Sequence, residues 1–323
     1  MHMLEQLQTK AAMRQPVWPS AVTPDVALVR TGFVNLFIYG RPGAPSGTWV
    51  LIDGGLPGAA SRVTRAAREW IGPWARPAAI ILTHGHFDHV GSLPNLAELW
   101  DVPVYAHRLE LPYVTGRSSY PPPDPTVGGG AMSILSPLYP RGPFNFGKRV
   151  QPLPEDGTVP FMPGWRWVAT PGHSPGHISL FRDEDRVLIA GDAVVTTKQE
   201  SAIAALRYQP ELHGPPKYFT PDWGLARRSV VRLAELEPDV LVTGHGPPMR
   251  GPEMTSRLRQ LARDFDRLEV PTRGRYVGRP ALTDERGVIS VPPPARELLP
   301  RVLLGIGAAL VVGALLRRSF RRS

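Results

Sequence analysis

Short apolar runs at 26–29, 34–39 and 48–53 read as three consecutive strands, with Gly/Pro turns between the last two. The chain therefore opens as antiparallel sheet. From 59 to 71 the pattern changes. Arginine and glutamate fall on one face and alanine, valine and tryptophan on the other, which predicts a helix. A strand over 78–82, a short helix over 93–99, a strand over 102–106 and a helical turn or two over 107–114 follow. Residues 165–169, 177–181 and 186–190 repeat the strand pattern. A helix near 224–236, a strand over 240–242 and a helix near 251–268 come after them. Strands followed by helices in each half predict an α/β (α+β) fold of two sheets packed face to face, with helices outside.

Residues 117–147 are the least regular part, with Pro121-Pro122-Pro123 and Gly128-Gly129-Gly130. A loop of that length inside a compact domain is usually functional or mobile. The expected organisation is an N-terminal extension (1–24), one domain (25–269), a Pro-rich segment with room for one hairpin (270–297), and a hydrophobic, Arg-flanked tail (298–323).

The strand over 78–82 runs straight into Thr83-His84-Gly85-His86-Phe87-Asp88-His89. Three of the nine histidines of the chain fall within six positions there, beside a carboxylate. Imidazole is the commonest metal ligand near neutral pH, and carboxylate is its usual hard partner. His84 and His86 alternate like strand residues and can point the same way, whereas Asp88 and His89 follow the turn and can face a second ion. Four more strand-like runs end in a ligand-type residue beside glycine: Asp53-Gly54-Gly55, Thr170-Pro171-Gly172-His173, Gly191-Asp192 and Thr243-Gly244-His245-Gly246. Singly, a His or Asp at a strand end is more often a cap or a surface group. In this order around the His loop, they predict a metal site. There is no cysteine, so disulfides and thiolate ligands are excluded and any metal is held by His and Asp.

On these motifs, over roughly residues 25–250, the chain resembles the metallo-β-lactamase superfamily of hydrolases. The resemblance implies an αββα four-layer sandwich of two mixed sheets. It implies that His84, His86 and His173 bind one metal, that Asp88, His89 and His245 bind a second, and that Asp192 bridges the two. Asp53 would support the metal loop without ligating, and His177 is expected to orient its neighbours. The stretch 170–177 looks most like the glyoxalase-II and lactonase-like branch. The implied cofactor is two Zn2+ per chain, with Fe or Mn compatible with the same donors. A water shared by two cations loses a proton near neutral pH, and the resulting hydroxide can attack the carbonyl of a small ester, thioester or lactone. Asp88 would orient that nucleophile and relay its proton. The presence of Asp192 and the lack of Cys disfavour β-lactamase activity. A mononuclear iron persulfide dioxygenase shares the His loop and is the alternative, with a nuclease or phosphodiesterase of the same superfamily after it. The segment 208–223 is expected to line the substrate pocket through Tyr208, His213 and Tyr218, and His107 beside Glu110 reads as packed or capping.

The formal charge of +9 suggests nucleic acid until it is located. Residues 296–323 carry six arginines against Glu297, a net of +5 that leaves +4 for the other 295 residues. A basic groove on the catalytic part is therefore not implied, and no nucleic-acid partner is expected. Within the tail, 302–316 is fifteen uninterrupted apolar residues. That is about 22 Å of helix against the roughly 20 residues of an ordinary span. Its Arg flank and terminal position favour a membrane tail. No apolar signal segment is evident at the start, so the expectation is a cytoplasmic protein, with this tail as its attachment to the inner face of the membrane.

Overall fold

In the computed structural model, residues 19–295 are described. The first seven strands form one sheet in chain order: β1 (Ser20–Thr23), β2 (Val26–Thr31), β3 (Val34–Tyr39), β4 (Val50–Ile52), β5 (Ala79–Ile81), β6 (Val104–Ala106) and β7 (Val150–Pro152). Pairing is antiparallel from β1 to β4 and parallel from β4 to β7. The second sheet holds β8 (Trp165–Ala169), β9 (Ile178–Arg182), β10 (Val187–Ile189), β11 (Val240–Val242) and β12 (Met249–Arg250), in the order β12-β11-β10-β9-β8. Only β10 and β11 run parallel in it. Both sheets are mixed.

Alternation along the strands sorts side chains between layers. Val26, Leu28, Val50, Ile52 and Ile81 of the first sheet meet Ile178, Leu180, Val187, Ile189 and Val242 of the second in one core between the sheets. The intervening residues Ala27, Val29, Leu51 and Ile80 face outward onto the helices Ala60–Trp70 and Leu93–Trp100 through Val63, Ala66, Leu93 and Leu96. On the far side, Phe181, Leu188 and Leu241 pack beneath the helices Trp223–Glu235 and Gly251–Arg263. The layers are αββα.

Several short elements carry too little pattern to be read from sequence. β1 lies within the stretch expected to be an extension, and β7 contains a proline and two exposed residues. β12 is two residues long. The irregular 117–147 region holds a helix at Ala131–Leu135 and 3-10 turns at Pro125–Val127 and Ser136–Leu138. The Pro-rich segment after 269, by contrast, does contain the one hairpin expected there, β13 (Leu282–Asp284) and β14 (Gly287–Ser290). It also straps the loop at 118–124. Tyr276 donates its hydroxyl to the Pro122 carbonyl, and Val288 N donates to Ser118 Oγ at 3.1 Å. Buried Tyr276 and Ala281 join the outer core of the second half. The apolar run at 302–316, and the membrane tail expected of it, lie outside the described residues. Among the described residues no helix is long and apolar enough to cross a membrane.

An ionic clasp closes the two sheets at the turn ends of β2 and β9. Arg182, its side chain 9% exposed, donates to both carboxylate oxygens of Asp25 (2.6 and 3.0 Å) and to both of Asp185 (2.7 and 2.6 Å). Burial alone would raise the Asp25 carboxyl, but Arg182 holds it below the usual carboxylate range. Removing the guanidinium leaves the part-buried Asp25 carboxylate without its cation and beside the exposed Asp185. Arg182→Met is expected to cost about 1–2 kcal/mol, discounted from the buried-pair figure because both acids are partly exposed. That is a fall in Tm of roughly 3–6 °C. A calorimetric scan matching wild type would remove the clasp from the account of stability.

Candidate metal centre

The ligand-type residues all follow the carboxyl ends of strands. β4 ends at Ile52 and the chain turns at Asp53, which adopts a left-handed φ of 66°. A non-glycine residue in that region is strained and needs its surroundings to hold it. Here Asp53 Oδ1 accepts from Thr83 N and Oδ2 from Thr83 Oγ1, both at 2.8 Å, and Oδ2 lies 2.9 Å from His89 Nδ1. Asp53 thus braces the His loop that follows β5. The second sheet is tied to the same loop, since Ile178 N donates to the Thr83 carbonyl at 3.0 Å.

From the second sheet, His173 follows β8, Asp192 follows β10 and His245 follows β11. The His245 turn is pinned to β3. Asn35 Nδ2 donates to the carbonyls of Thr243 (2.9 Å) and Gly246 (2.7 Å), and His245 Nδ1 lies 2.9 Å from the Phe33 carbonyl. His177 spends both ring nitrogens on protein. Its Nδ1 is 2.8 Å from Thr170 Oγ1, and its Nε2 accepts from Asp192 N at 2.9 Å. It therefore positions the Asp192 turn and has no nitrogen left for an ion.

The structure brings His84, His86, Asp88, His89, His173, Asp192 and His245 together, all buried. Ligand-type atoms of His84, His86 and His173 lie within 4.8 Å of one another, as do those of Asp88, His89 and His245, and those of His84, His89 and Asp192. Asp192 stands between the two outer groups. One of its oxygens is 3.5 Å from His89 Nε2, and the other is 3.0 Å from His245 Nε2 and 3.5 Å from His173 Nε2. Asp88 Oδ2 is 3.5 Å from His245 Nε2.

The donor set fits metal ions. His84 Nε2, His89 Nε2, His173 Nδ1 and Asp192 Oδ1 are buried and make no hydrogen bond, which is costly for polar atoms without a partner. Burial, reinforced by the neighbouring rings, pushes His84 and His173 well below the ordinary imidazole value. Burial likewise takes His86 down to about 3. A ring held neutral keeps the lone pair that a metal needs. Burial opposes ionisation of Asp192, yet the His245 and His89 rings hold its carboxyl well below the usual range. Burial also opposes the charged form of His89, but Asp192 and Asp53 raise it well above the ordinary value. The pocket therefore supplies fixed negative charge at Asp192 and neutral nitrogen at His84, His86 and His173, whereas His89 gives up a proton when it takes a cation.

Of the residues expected to line a substrate pocket, Tyr218 is buried near this centre. Burial first, and the Asp88 carboxylate next, push its hydroxyl well above the usual value. Tyr208 instead braces Asn35, its hydroxyl 3.2 Å from Asn35 Oδ1, with the Arg30 guanidinium 4.2 Å from its ring centroid. His213 sits between Glu211 (3.1 Å) and Glu269 (3.4 Å). His107 accepts from Leu109 N at 3.3 Å and packs edge-on against Trp167. An aromatic wall stands beside the centre, with Tyr218 and Phe219 from the 208–223 segment expected to line the pocket and Tyr139 from outside it. Phe219 stacks on His86 at 4.6 Å, and Tyr139 packs against Phe87 at 5.4 Å and Tyr218 at 5.9 Å. Tyr139 comes from the irregular 117–147 region, whose aromatics carry no periodic signal. Glu110 was also missed as a site residue.

A histidine-rich centre at the strand ends of an αββα sandwich defines a metallo-hydrolase scaffold. The chain belongs to the metallo-beta-lactamase superfamily, whose family model matches residues 29–245. It is 51% identical over 228 residues to the probable metallo-hydrolase YflN of Bacillus subtilis, covering 71% of this chain and 86% of that protein. It is 32% identical to the probable metallo-hydrolase YybB of the same organism, over 62% of this chain and 81% of that one. A hydroxyacylglutathione hydrolase of Erwinia tasmaniensis is 34% identical over 137 residues, 42% of this chain and 39% of its own length. The fold is shared with a beta-lactamase domain protein from Burkholderia ambifaria, at a TM-score of 0.54, 22% identity and 80% coverage of each chain.

Proposed function

We propose that this protein is a two-metal hydrolase of small esters, thioesters or lactones. The observation that carries the proposal is Asp192, one buried carboxylate within reach of both ligand groups, with Oδ2 facing His173 of the first and His245 of the second and Oδ1 facing His89 of the second. That placement suits a ligand shared by two ions. Two divalent cations, zinc by preference for this donor set, would supply an acidified water and Lewis acidity toward a carbonyl oxygen. His84, His86 and His173 would hold one, and Asp88, His89 and His245 the other. The chain's own residues do the rest. Asp88 keeps a carboxylate at the edge of the centre, where it can accept the proton of the attacking water and return it to the leaving oxygen or sulfur. Without a cation, burial raises the Asp88 carboxyl above its ordinary value, and a bound cation would draw it back toward the charged form that accepts a proton. Phe219 and Tyr139 offer an apolar wall to an acyl group, and Tyr218 a hydroxyl to its carbonyl. The likeness to a hydroxyacylglutathione hydrolase supports thioesters among the candidates.

The test is metal analysis of protein purified without added metal, paired with a panel of acyl-glutathione thioesters, lactones, aryl esters and a phosphodiester. About two metals per chain and chelator-sensitive cleavage of a thioester, ester or lactone are expected. One iron per chain with oxygen uptake on glutathione persulfide would replace the proposal with the dioxygenase, and cleavage of the phosphodiester alone with a nuclease.

A further inference from the structure

Glu110 is a fully buried carboxylate that the reaction scheme does not use. It precedes the short helix Leu111–Val114 and reaches two separate loops. Its Oε2 accepts from Gly85 N at 2.9 Å and from the Tyr120 hydroxyl. Its Oε1 accepts from Ser174 Oγ at 2.7 Å and Gly176 N at 2.8 Å. Gly85 lies between His84 and His86, and Ser174 directly follows His173. Each oxygen therefore holds one of the two loops that supply the His84, His86 and His173 group.

The contact is built on both sides. A Cβ at Gly85 would lie 2.5 Å from the Tyr120 hydroxyl, and one at Gly176 would lie 2.7 Å from Glu110 N. Both loops are glycine where they close on the carboxylate. Tyr120 also packs edge-on against His86 at 4.5 Å and stacks on Tyr113 at 4.1 Å, so the Glu110 side of the centre is rigid. Four donors converge on two oxygens. Only a carboxylate accepts on both, because an amide of the same shape turns an N–H toward one loop.

We propose that Glu110 is a positioning residue that clamps the His84–His86 loop to the His173 loop and thereby sets the metal affinity of that group. The inference rests on this group taking a metal, and does not depend on what is hydrolysed.

The test is zinc affinity of the full chain, measured by competition with a chromogenic chelator, for wild type, Glu110→Gln, Ser174→Ala and a core control, Val104→Ala. Val104 lies in β6, buried in the core beneath the outer helices, and its truncation lowers stability without touching either loop. Glu110→Gln is expected to weaken zinc binding roughly 10–100-fold, the usual cost of losing an outer partner of metal ligands. Ser174→Ala, which removes one of the four bonds, should weaken it roughly fivefold. Val104→Ala should bind as wild type does. Zinc affinity of Glu110→Gln within twofold of wild type, or no weaker than that of Val104→Ala, would overturn the proposal. If Glu110→Gln does not fold, Ser174→Ala decides alone, and unchanged affinity there overturns it. A wild-type protein that binds zinc tightly but cleaves nothing in the substrate panel would sink the hydrolase reading and leave this one standing.

Discussion

Asp192→Ala reduces hydrolysis to background and costs the protein its metal, the largest single effect expected in this molecule. The carboxylate is 2% exposed and lies within 3.5 Å of three imidazoles drawn from three loops. Leaving a buried charge cluster without one partner costs about 3–5 kcal/mol. Expressed as metal affinity, that is a loss of roughly 10²- to 10⁴-fold. Asp192→Asn separates the two roles. The amide keeps the shape and one acceptor but loses the charge, so metal loss should persist while the fold, followed by far-UV circular dichroism, is retained. Turnover surviving in either variant at full metal occupancy would show that the two outer groups work without a shared ligand.

The second large effect is on stability after metal removal. Burial lowers His84, His173, His86 and His177, the last two to about 3. The unfolded chain takes up protons at these positions near pH 6.5, and the folded chain does not. Stability of the metal-free protein therefore falls as pH drops from about 6.5 toward 3. With up to four such rings the slope between pH 6 and 5 is about 2–5 kcal/mol per pH unit. His89 and His245 act in the opposite sense. Burial works against their charge, but Asp192 raises both above the ordinary value. Their contribution is complete below pH 6.5 and is lost as pH rises through their folded values. Metal-free protein should thus be most stable near pH 6.5. Metal at about 1,000 times its Kd adds about 4 kcal/mol, a rise in Tm of roughly 10 °C at neutral pH. Scanning calorimetry from pH 5 to 8, with and without chelator, measures both. A Tm that is flat with pH in chelator would contradict the buried neutral rings.

The strand and helix plan was legible wherever apolar runs were long enough to show a period. Residues 34–39 and 240–242 are strands as read, and the helix read over 59–71 spans Ala60–Trp70. The His84–His89 loop was legible because its composition is improbable. His173, Asp192 and His245 were legible because each follows a strand and sits beside glycine. What escaped notice has no local signature. β7 and β12 are strands only because a neighbouring edge pairs with them. Glu110 is one acid in a helical turn, and its four donors come from residues 85, 120, 174 and 176. The position of Tyr208 against Asn35, 173 residues away in the chain, is likewise a property of tertiary packing alone.

The order in which ligands leave the ribosome follows from their placement on the strands. A nascent chain ending before residue 240 already carries His84, His86 and His173, but it lacks β11 and the His245 turn beyond it. The first group can be complete while the second is not. On the proposed two-metal reading, the second ion would find its full ligand set only once β11 and the His245 turn have joined the second sheet.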